Sequence, residues 1–309
     1  MAAFRPSSRR QAGVAWRTFQ KWLPASTPSI SRATVLEFLE DLFEGRTVAP
    51  GTIVGYRNSL KRPLSLAFGV DFEHEDFALQ AKAHFIERPP KSKSFPQWSL
   101  DEALMALSLK TPVDQATDKD LFLRTLFLVA LAAGNRASEL AAIDRRAVAF
   151  APDGSSASLP VVQGFLYKNQ SAKRRPPKIV IPNLPEPDDS LCPVKALRRY
   201  LTLSQGTGRK LFRNPASNAD LNAGTLAFWL CKAITWLVPN ATGRAHDVRK
   251  AAHSLAWVRG IPAEEIVNNG FWASPDVFLR RYLDPTTSAS LSCVAGGHRL
   301  VVPRPPPSG

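Results

Sequence analysis

Apolar positions recur at helical spacing along most of this chain. Between Thr34 and Phe43, the residues Val35, Leu36, Phe38, Leu39, Leu42 and Phe43 fall on such a rhythm. Thr34 and Glu37 supply a capping-box pattern there, and Gly45 supplies a stop. After Pro50-Gly51 a second helical stretch sets Ile53, Tyr56 and Leu60 on one face and carries Arg57, Lys61 and Arg62, until Pro63 interrupts or kinks it. The first ~85 residues therefore predict a small helical domain. From Glu87 to Gln97, three prolines among basic and small polar residues predict an extended, solvated segment. The expected division is a domain over 1–88, a basic proline-rich linker over 89–97, a second domain over 98–290 and a proline-rich tail over 291–309.

The second domain opens with helices. Ser99 and Glu102 repeat the capping spacing, and Asp118 to Ala133 reads as a strongly apolar helix that ends at Gly134-Asn135. A further helix is predicted over Ala137 to Ile143. The pattern then changes to two β-like runs, Leu159 to Tyr167 and Lys178 to Ile181, separated by the basic segment Lys168 to Arg175. A hairpin or small antiparallel sheet follows. Helical rhythm returns at Pro193 to Leu203, Leu221 to Leu237, His246 to Arg259, Pro262 to Asn268 and Pro275 to Leu283. The fold class is mainly α with a small antiparallel β-sheet.

Charge narrows the partner. The 309 residues hold 40 Lys and Arg against 26 Asp and Glu, a net +14 with pI near 10.1, which favours a polyanion through counterion release. Up to Pro90 there are 12 basic and 9 acidic residues, so +11 of the excess lies beyond it. Met1 to Gln11 has no apolar h-region, and no apolar stretch approaches the ~18 residues of a membrane span. The expectation is a soluble, intracellular protein with no membrane partner. Cys192, Cys231 and Cys293 lack metal-ligand or disulfide spacing and predict reduced thiols packed as small apolar groups, with no metal and no cofactor.

Several residues are suited to phosphate chemistry, each with a plainer reading beside it. On a helical wheel Val248, Ala251, Ala252, Leu255 and Val258 form an apolar stripe, while His246, Arg249, Lys250 and His253 cluster opposite, where they face a partner. An imidazole and a guanidinium three residues apart can hold a phosphate and carry its protons; the plainer reading is a solvated basic face. Arg136 starts from a backbone anchored by the buried helix before it, or else forms a surface ion pair with Glu139. Lys168 opens a basic turn with Lys173, Arg174 and Arg175, which alone reads as a nonspecific phosphate contact. Tyr200 and Tyr282 share the local string Arg-Arg-Tyr-Leu, and either fits core packing.

In order, GNRASEL (134–140), LYKNQ (166–170), HDVR (246–249), GFW (270–272) and RRYL (280–283) resemble the signature of the tyrosine recombinase, or phage integrase, superfamily. Arg136 matches its first arginine, Lys168 its hairpin lysine, His246 and Arg249 its H-x-x-R box, Trp272 its later His-or-Trp position and Tyr282 its nucleophile. Tyr200 falls out of order. AHDVRKAAHSLAWVRG followed by GFWASPDVFLRRYL looks closest to recombinases of eukaryotic DIRS-like mobile elements. Departures are Lys250, where many members carry a second histidine, and the ten-residue step from Trp272 to Tyr282.

The resemblance implies a helical core-binding (SAM-like) domain followed by an integrase-like catalytic domain, clamped on double-stranded DNA and assembling as a homotetramer on two DNA sites. It implies site-specific integration or recombination through a 3′-phosphotyrosine intermediate, independent of metal, ATP or any small-molecule substrate. Arg136, Arg249 and Trp272 would neutralise the phosphate, Lys168 would protonate the leaving oxygen and His246 would assist proton transfer. Arg57, Lys61, Arg62, Lys91, Lys93, Lys173, Arg174, Arg175 and Lys250 are the expected DNA contacts. The clusters Arg9-Arg10 and Lys173 to Arg175 are compatible with nuclear import in a eukaryote, although phosphate contact or solvated charge explains each better. Competing readings are a noncatalytic DNA-binding relative, a type IB topoisomerase and a basic RNA-binding module, the last without a stacking-platform motif.

Overall fold

A computed structural model describes residues 6–24, 29–90, 98–184, 188–204 and 208–282. The chain divides into two compact units, residues 1–93 and 94–309.

The first unit holds four described helices: α1 (Pro6–Trp22), α2 (Arg32–Glu44), α3 (Pro50–Phe68) and α4 (Glu75–Glu87). Their core is aromatic. Phe19, Phe38, Leu60, Leu64 and Phe77 are buried, and Phe19 meets Phe38 edge to face at 5.1 Å. The N-cap of α2 is Ser31, whose Oγ accepts from Thr34 N, so the capping pair is Ser31 and Thr34 and not the Thr34 and Glu37 read from sequence. Pro63 does not end α3, because Leu60 and Leu64 on either side of it are wholly buried and hold the helix on the core. The helix runs on to Gly69, whose left-handed backbone (φ 66°) closes it.

The second unit is built around α6 (Asp118–Ala133), buried continuously from Leu121 to Ala130 and ended by Gly134 at φ 59°. The helices α5 (Leu100–Ser108), α7 (Ala137–Leu140), α8 (Pro193–Leu203), α9 (Ala223–Leu237) and α10 (Ala245–Val258) form the rest of this core; α11 (Ala263–Asn269) and α12 (Pro275–Tyr282) pack on α10. Arg124 is buried inside α6 and donates to the carbonyls of Ser190, Leu107 and Thr111, which ties the chain on both sides of the helix to it.

A three-stranded antiparallel sheet, ordered β1-β2-β3, comprises Ala149–Phe150, Ser156–Ser158 and Val180–Pro182, with Ala157 paired to Ile181 and Ala149 to Ser158. The β-like run Leu159 to Tyr167 is not a strand. Pro160 lacks a donor and Gly164 turns at φ 83°, so beyond Leu159 N, which donates to Ile179 O, the chain leaves the sheet. Cys192 is a free thiol packed in the apolar core, as expected, and it also caps α8: its Sγ accepts from Lys195 N and Leu184 N and donates to Asn183 Oδ1 at 2.8 Å. Cys231 is a free thiol; Cys293 and the tail lie outside the described residues. No described helix is long and apolar enough to cross a membrane.

Candidate active site

The site forms where the α6–α7 turn, the start of α10 and the α11–α12 connection meet. Gly134 lets the chain reverse after α6, and Arg136 becomes the N-cap of α7. Glu139 fixes it. Its carboxylate, 1% exposed, accepts from Arg136 Nη1 at 2.7 Å, Arg136 N at 3.0 Å and Asn135 Nδ2 at 2.9 Å. The Arg136–Glu139 pair exists, but as a buried clamp and not the surface pair of the plainer reading.

Arg249 lies beneath. It is 1% exposed, and its Nη1 and Nη2 donate to Gly134 O and Gly270 O, each at 2.5 Å. Its guanidinium stands 4.2 Å from the centre of the Trp272 ring, with that of Arg136 at 5.6 Å, so one indole faces two cations. Trp272 is itself buried. These contacts correct the helical-wheel expectation. Arg249 and His253 do not face outward, because the α6–α7 turn and the Gly270–Trp272 segment cover that side of α10; Val258, assigned to the packed stripe, is 57% exposed.

His246, at the first turn of α10, is solvent-exposed. Desolvation, then Arg249, Arg136 and Lys168, outweigh the opposing Asp247 and lower its pKa to about 4. The net effect favours the neutral imidazole.

Lys168 is exposed on a turn that is docked on the same segment as Trp272. Asn169 Nδ2 donates to Phe271 O at 2.7 Å, Arg174 Nη2 donates to Trp272 O, and Tyr167 meets the Phe271 ring edge to face at 5.9 Å. Arg174, read from sequence as a DNA contact, is committed to Trp272 O and to the Phe271 ring, 4.7 Å away. Lys173 and Arg175 are exposed beside it, and Lys250 is half-buried. In the first unit, Arg57 donates to Phe77 O at 3.1 Å, Lys61 pairs with Glu73 and Arg62 is exposed. Lys91 and Lys93 lie outside the described residues.

The two tyrosines with identical local strings part company. Tyr200 is in the core against Phe122 and Phe212; its Oη accepts from Arg213 N at 3.2 Å, and burial pushes its phenol up. Tyr282 ends α12, one helical turn after Phe278, which is buried against Trp272 and His253. The side chain of Tyr282 lies outside the described residues. Among the described residues, no group of three or more His, Cys, Asp or Glu is placed to hold a metal ion.

Sequence reasoning missed the support: Glu139 as a buried clamp, His253 as an enclosed ring and not a partner-facing one, and the glycines at 134 and 270. A Cβ at Gly270 would stand 2.1 Å from Trp272 Nε1 and 2.7 Å from His253 Nε2, and one at Gly134 would stand 2.7 Å from His253 Cε1. Both glycines sit inside the matched strings GNRASEL and GFW, which was the available signal.

No family model and no curated protein matches the sequence. Solved structures do. The Tn1549 transposon integrase in complex with transposon right end DNA matches with a TM-score of 0.63 at 15% identity, over 96% of this chain and 95% of that one. A lambda integrase dimer bound to a COC' core site matches at 0.57 and 16%, over 93% and 91%. A lambda integrase tetramer bound to a Holliday junction matches at 0.54 and 14%, over 92% and 74%. At these identities the likeness is one of fold: the mainly helical architecture with a small three-stranded antiparallel sheet is shared with these integrases.

Proposed function

We propose that this protein is a tyrosine-type site-specific DNA recombinase that cuts and rejoins strands through Tyr282. The observation that carries the reading is that Arg136, Arg249 and Trp272, distant in sequence, form one connected cluster beside α12, with Lys168 on the turn docked to the Phe271–Trp272 segment and His246 one turn before Arg249 on α10. Tyr282 Oη attacks the scissile phosphorus, the bond to the 5′ oxygen breaks, and a 3′-phosphotyrosine and a 5′-hydroxyl result. Attack by a 5′-hydroxyl reverses the step, and the conserved bond energy removes any need for ATP.

Each residue has a role suited to its surroundings. Arg136, half-buried and held through Nη1 by Glu139, offers the rest of its guanidinium to the nonbridging oxygens. Arg249, with both terminal nitrogens on carbonyls, stabilises developing charge through its field from a site of low dielectric. Lys168 protonates the leaving 5′ oxygen. Neutral His246 donates one N–H to the phosphate or accepts the phenolic proton of Tyr282, whose pKa is ordinarily about 10. Trp272 acts by buttressing both arginines, since its Nε1 is turned to Gly270 and not outward.

At the finer level, the chain binds duplex DNA, four copies assemble on two sites, and the gene derives from a DIRS-like mobile element working in a nucleus. The basic excess supports the DNA partner. Lys173 and Arg175, exposed on the same turn as Lys168, are cations available to phosphates. The test is covalent trapping of wild type, Tyr282→Phe and Tyr200→Phe on nicked and pooled duplex DNA. An adduct lost only in Tyr282→Phe is the expected result. DNA binding without an adduct from any of the three would make this a noncatalytic DNA-binding relative.

A further inference from the structure

His253 is outside the set of residues the proposed reaction uses, yet it touches the segments that carry most of them. Its Nδ1 lies 2.7 Å from the Arg249 carbonyl oxygen, which only accepts, so Nδ1 carries the proton and the lone pair of the neutral ring is on Nε2. That edge is wedged between two glycines: a Cβ would stand 3.0 Å from Nε2 at Gly134 and 2.7 Å at Gly270. The carbonyls of these same glycines receive Arg249 Nη1 and Nη2. The ring meets Trp272 edge to face at 5.6 Å and reaches Phe278 of α12 at 6.4 Å. One imidazole thus sets the spacing of the turn before Arg136, the Arg249 backbone, the Trp272 indole and the helix that ends in Tyr282.

The ring is 7% exposed. Burial first, then Arg249, Arg136 and His246, hold its pKa near 4 against the opposing bond to the Arg249 carbonyl. An uncharged ring suits its place, because a protonated Nε2 would set a second cation against Arg249. Bulk alone does not account for it. Leucine offers similar volume, but it has no donor for the Arg249 carbonyl and no flat edge to slide between two glycines.

We propose that His253 is a positioning residue of the candidate active site, its neutral ring keyed between Gly134 and Gly270 so as to fix the Trp272 indole and the two carbonyls that anchor Arg249. The proposal rests on the strand-transfer reading of the site. His253→Leu removes the donor and the flat edge, whereas His253→Asn keeps an N–H close to the position of Nδ1. In the full chain, the Trp272 indole N–H signal, assigned by its loss in Trp272→Phe, reports positioning without any reaction. The adduct-forming rate on nicked duplex reports chemistry.

His253→Leu is expected to shift or broaden the indole signal and to slow adduct formation on the order of tenfold or more, with DNA affinity within about twofold of wild type. His253→Asn, which keeps the donor to the Arg249 carbonyl but lacks the Cε1–Nε2 edge, is expected to recover part of the signal and of the rate. An indole signal and rate untouched by leucine, or an asparagine variant no better than the leucine one, overturns the proposal. If wild type forms no adduct, the strand-transfer reading fails while the indole signal still decides the keying: moved by leucine and partly restored by asparagine upholds it, and unmoved overturns it.

Discussion

Gly270→Ala adds a single methyl group at the tightest point of the site, and its cost follows from geometry. Gly270 has φ −74° at the end of α11, a backbone conformation open to any residue, so alanine brings no strain of its own. The obstacle is what the methyl meets: Trp272 Nε1 at 2.1 Å, Trp272 Cδ1 at 2.6 Å and His253 Nε2 at 2.7 Å. Contacts below 3 Å force movement, and neither neighbour can swing into solvent, being 3% and 7% exposed. Overpacking of this kind costs about 1–3 kcal/mol, and displacing the indole also disturbs the arginines stacked on it. Gly224→Ala in α9 is the matched control, since its nearest contact is Asn222 Oδ1 at 3.4 Å and helix propensity favours alanine by roughly 0.5–1 kcal/mol. Urea unfolding of both variants, with calorimetry to separate the second unit, gives the two signs: Gly270→Ala destabilised, Gly224→Ala neutral or stabilised. A double variant with Trp272→Phe should cost less than the sum, because phenylalanine carries no atom at the Nε1 position. A Gly270→Ala protein within about 0.5 kcal/mol of wild type would refute the packing described.

The remaining predictions concern charge. Folding depresses the His253 pKa from 6.5 to about 4, so the unfolded chain binds its proton first on acidification; its contribution is intact above pH 6.5, declines between 6.5 and 4 and is flat below. The second unit should lose about 2 kcal/mol between pH 7.5 and pH 5 from this group, and denaturation of His253→Asn at the two pH values should show a correspondingly smaller difference. An identical loss in both proteins would mean that His253 is not held neutral. Glu139→Ala leaves the donors of Arg136 and Asn135 without their buried carboxylate and should cost roughly 3–5 kcal/mol, with Glu139→Gln less harmful, as read by the same unfolding assay.

What was legible in the sequence was what is locally determined. Both ends of α6 are marked, by polar residues at Thr117 to Asp120 and by Gly134, and the run from Pro193 to Leu203 coincides with α8. Strand pairing is nonlocal, so Ala149–Phe150, two residues long, carries no pattern of its own, and the apolar run from Leu159 has the pattern of a strand while Pro160 and Gly164 prevent one. For α10 the wheel separated apolar from basic residues correctly but could not tell that the basic side is also enclosed. Burial of Arg249 and His253 depends on segments more than a hundred residues upstream and some twenty downstream. Tyr200 and Tyr282 share their local strings, so the sequence separates them only by their place in the ordered motifs, and the fold adds a second ground by sinking Tyr200 into the core beside Phe212.

The most direct measurement is mass spectrometry of a trapped protein–DNA adduct after trypsin digestion. Cleavage after Arg281 releases Tyr282 on the peptide 282–299, and cleavage after Arg199 releases Tyr200 on 200–209, so the two candidates give different masses. The account predicts a nucleotide joined through a 3′-phosphate to Tyr282, with a free 5′-hydroxyl on the other DNA end. Attachment to any other residue, or DNA that is bound and never joined, would contradict it.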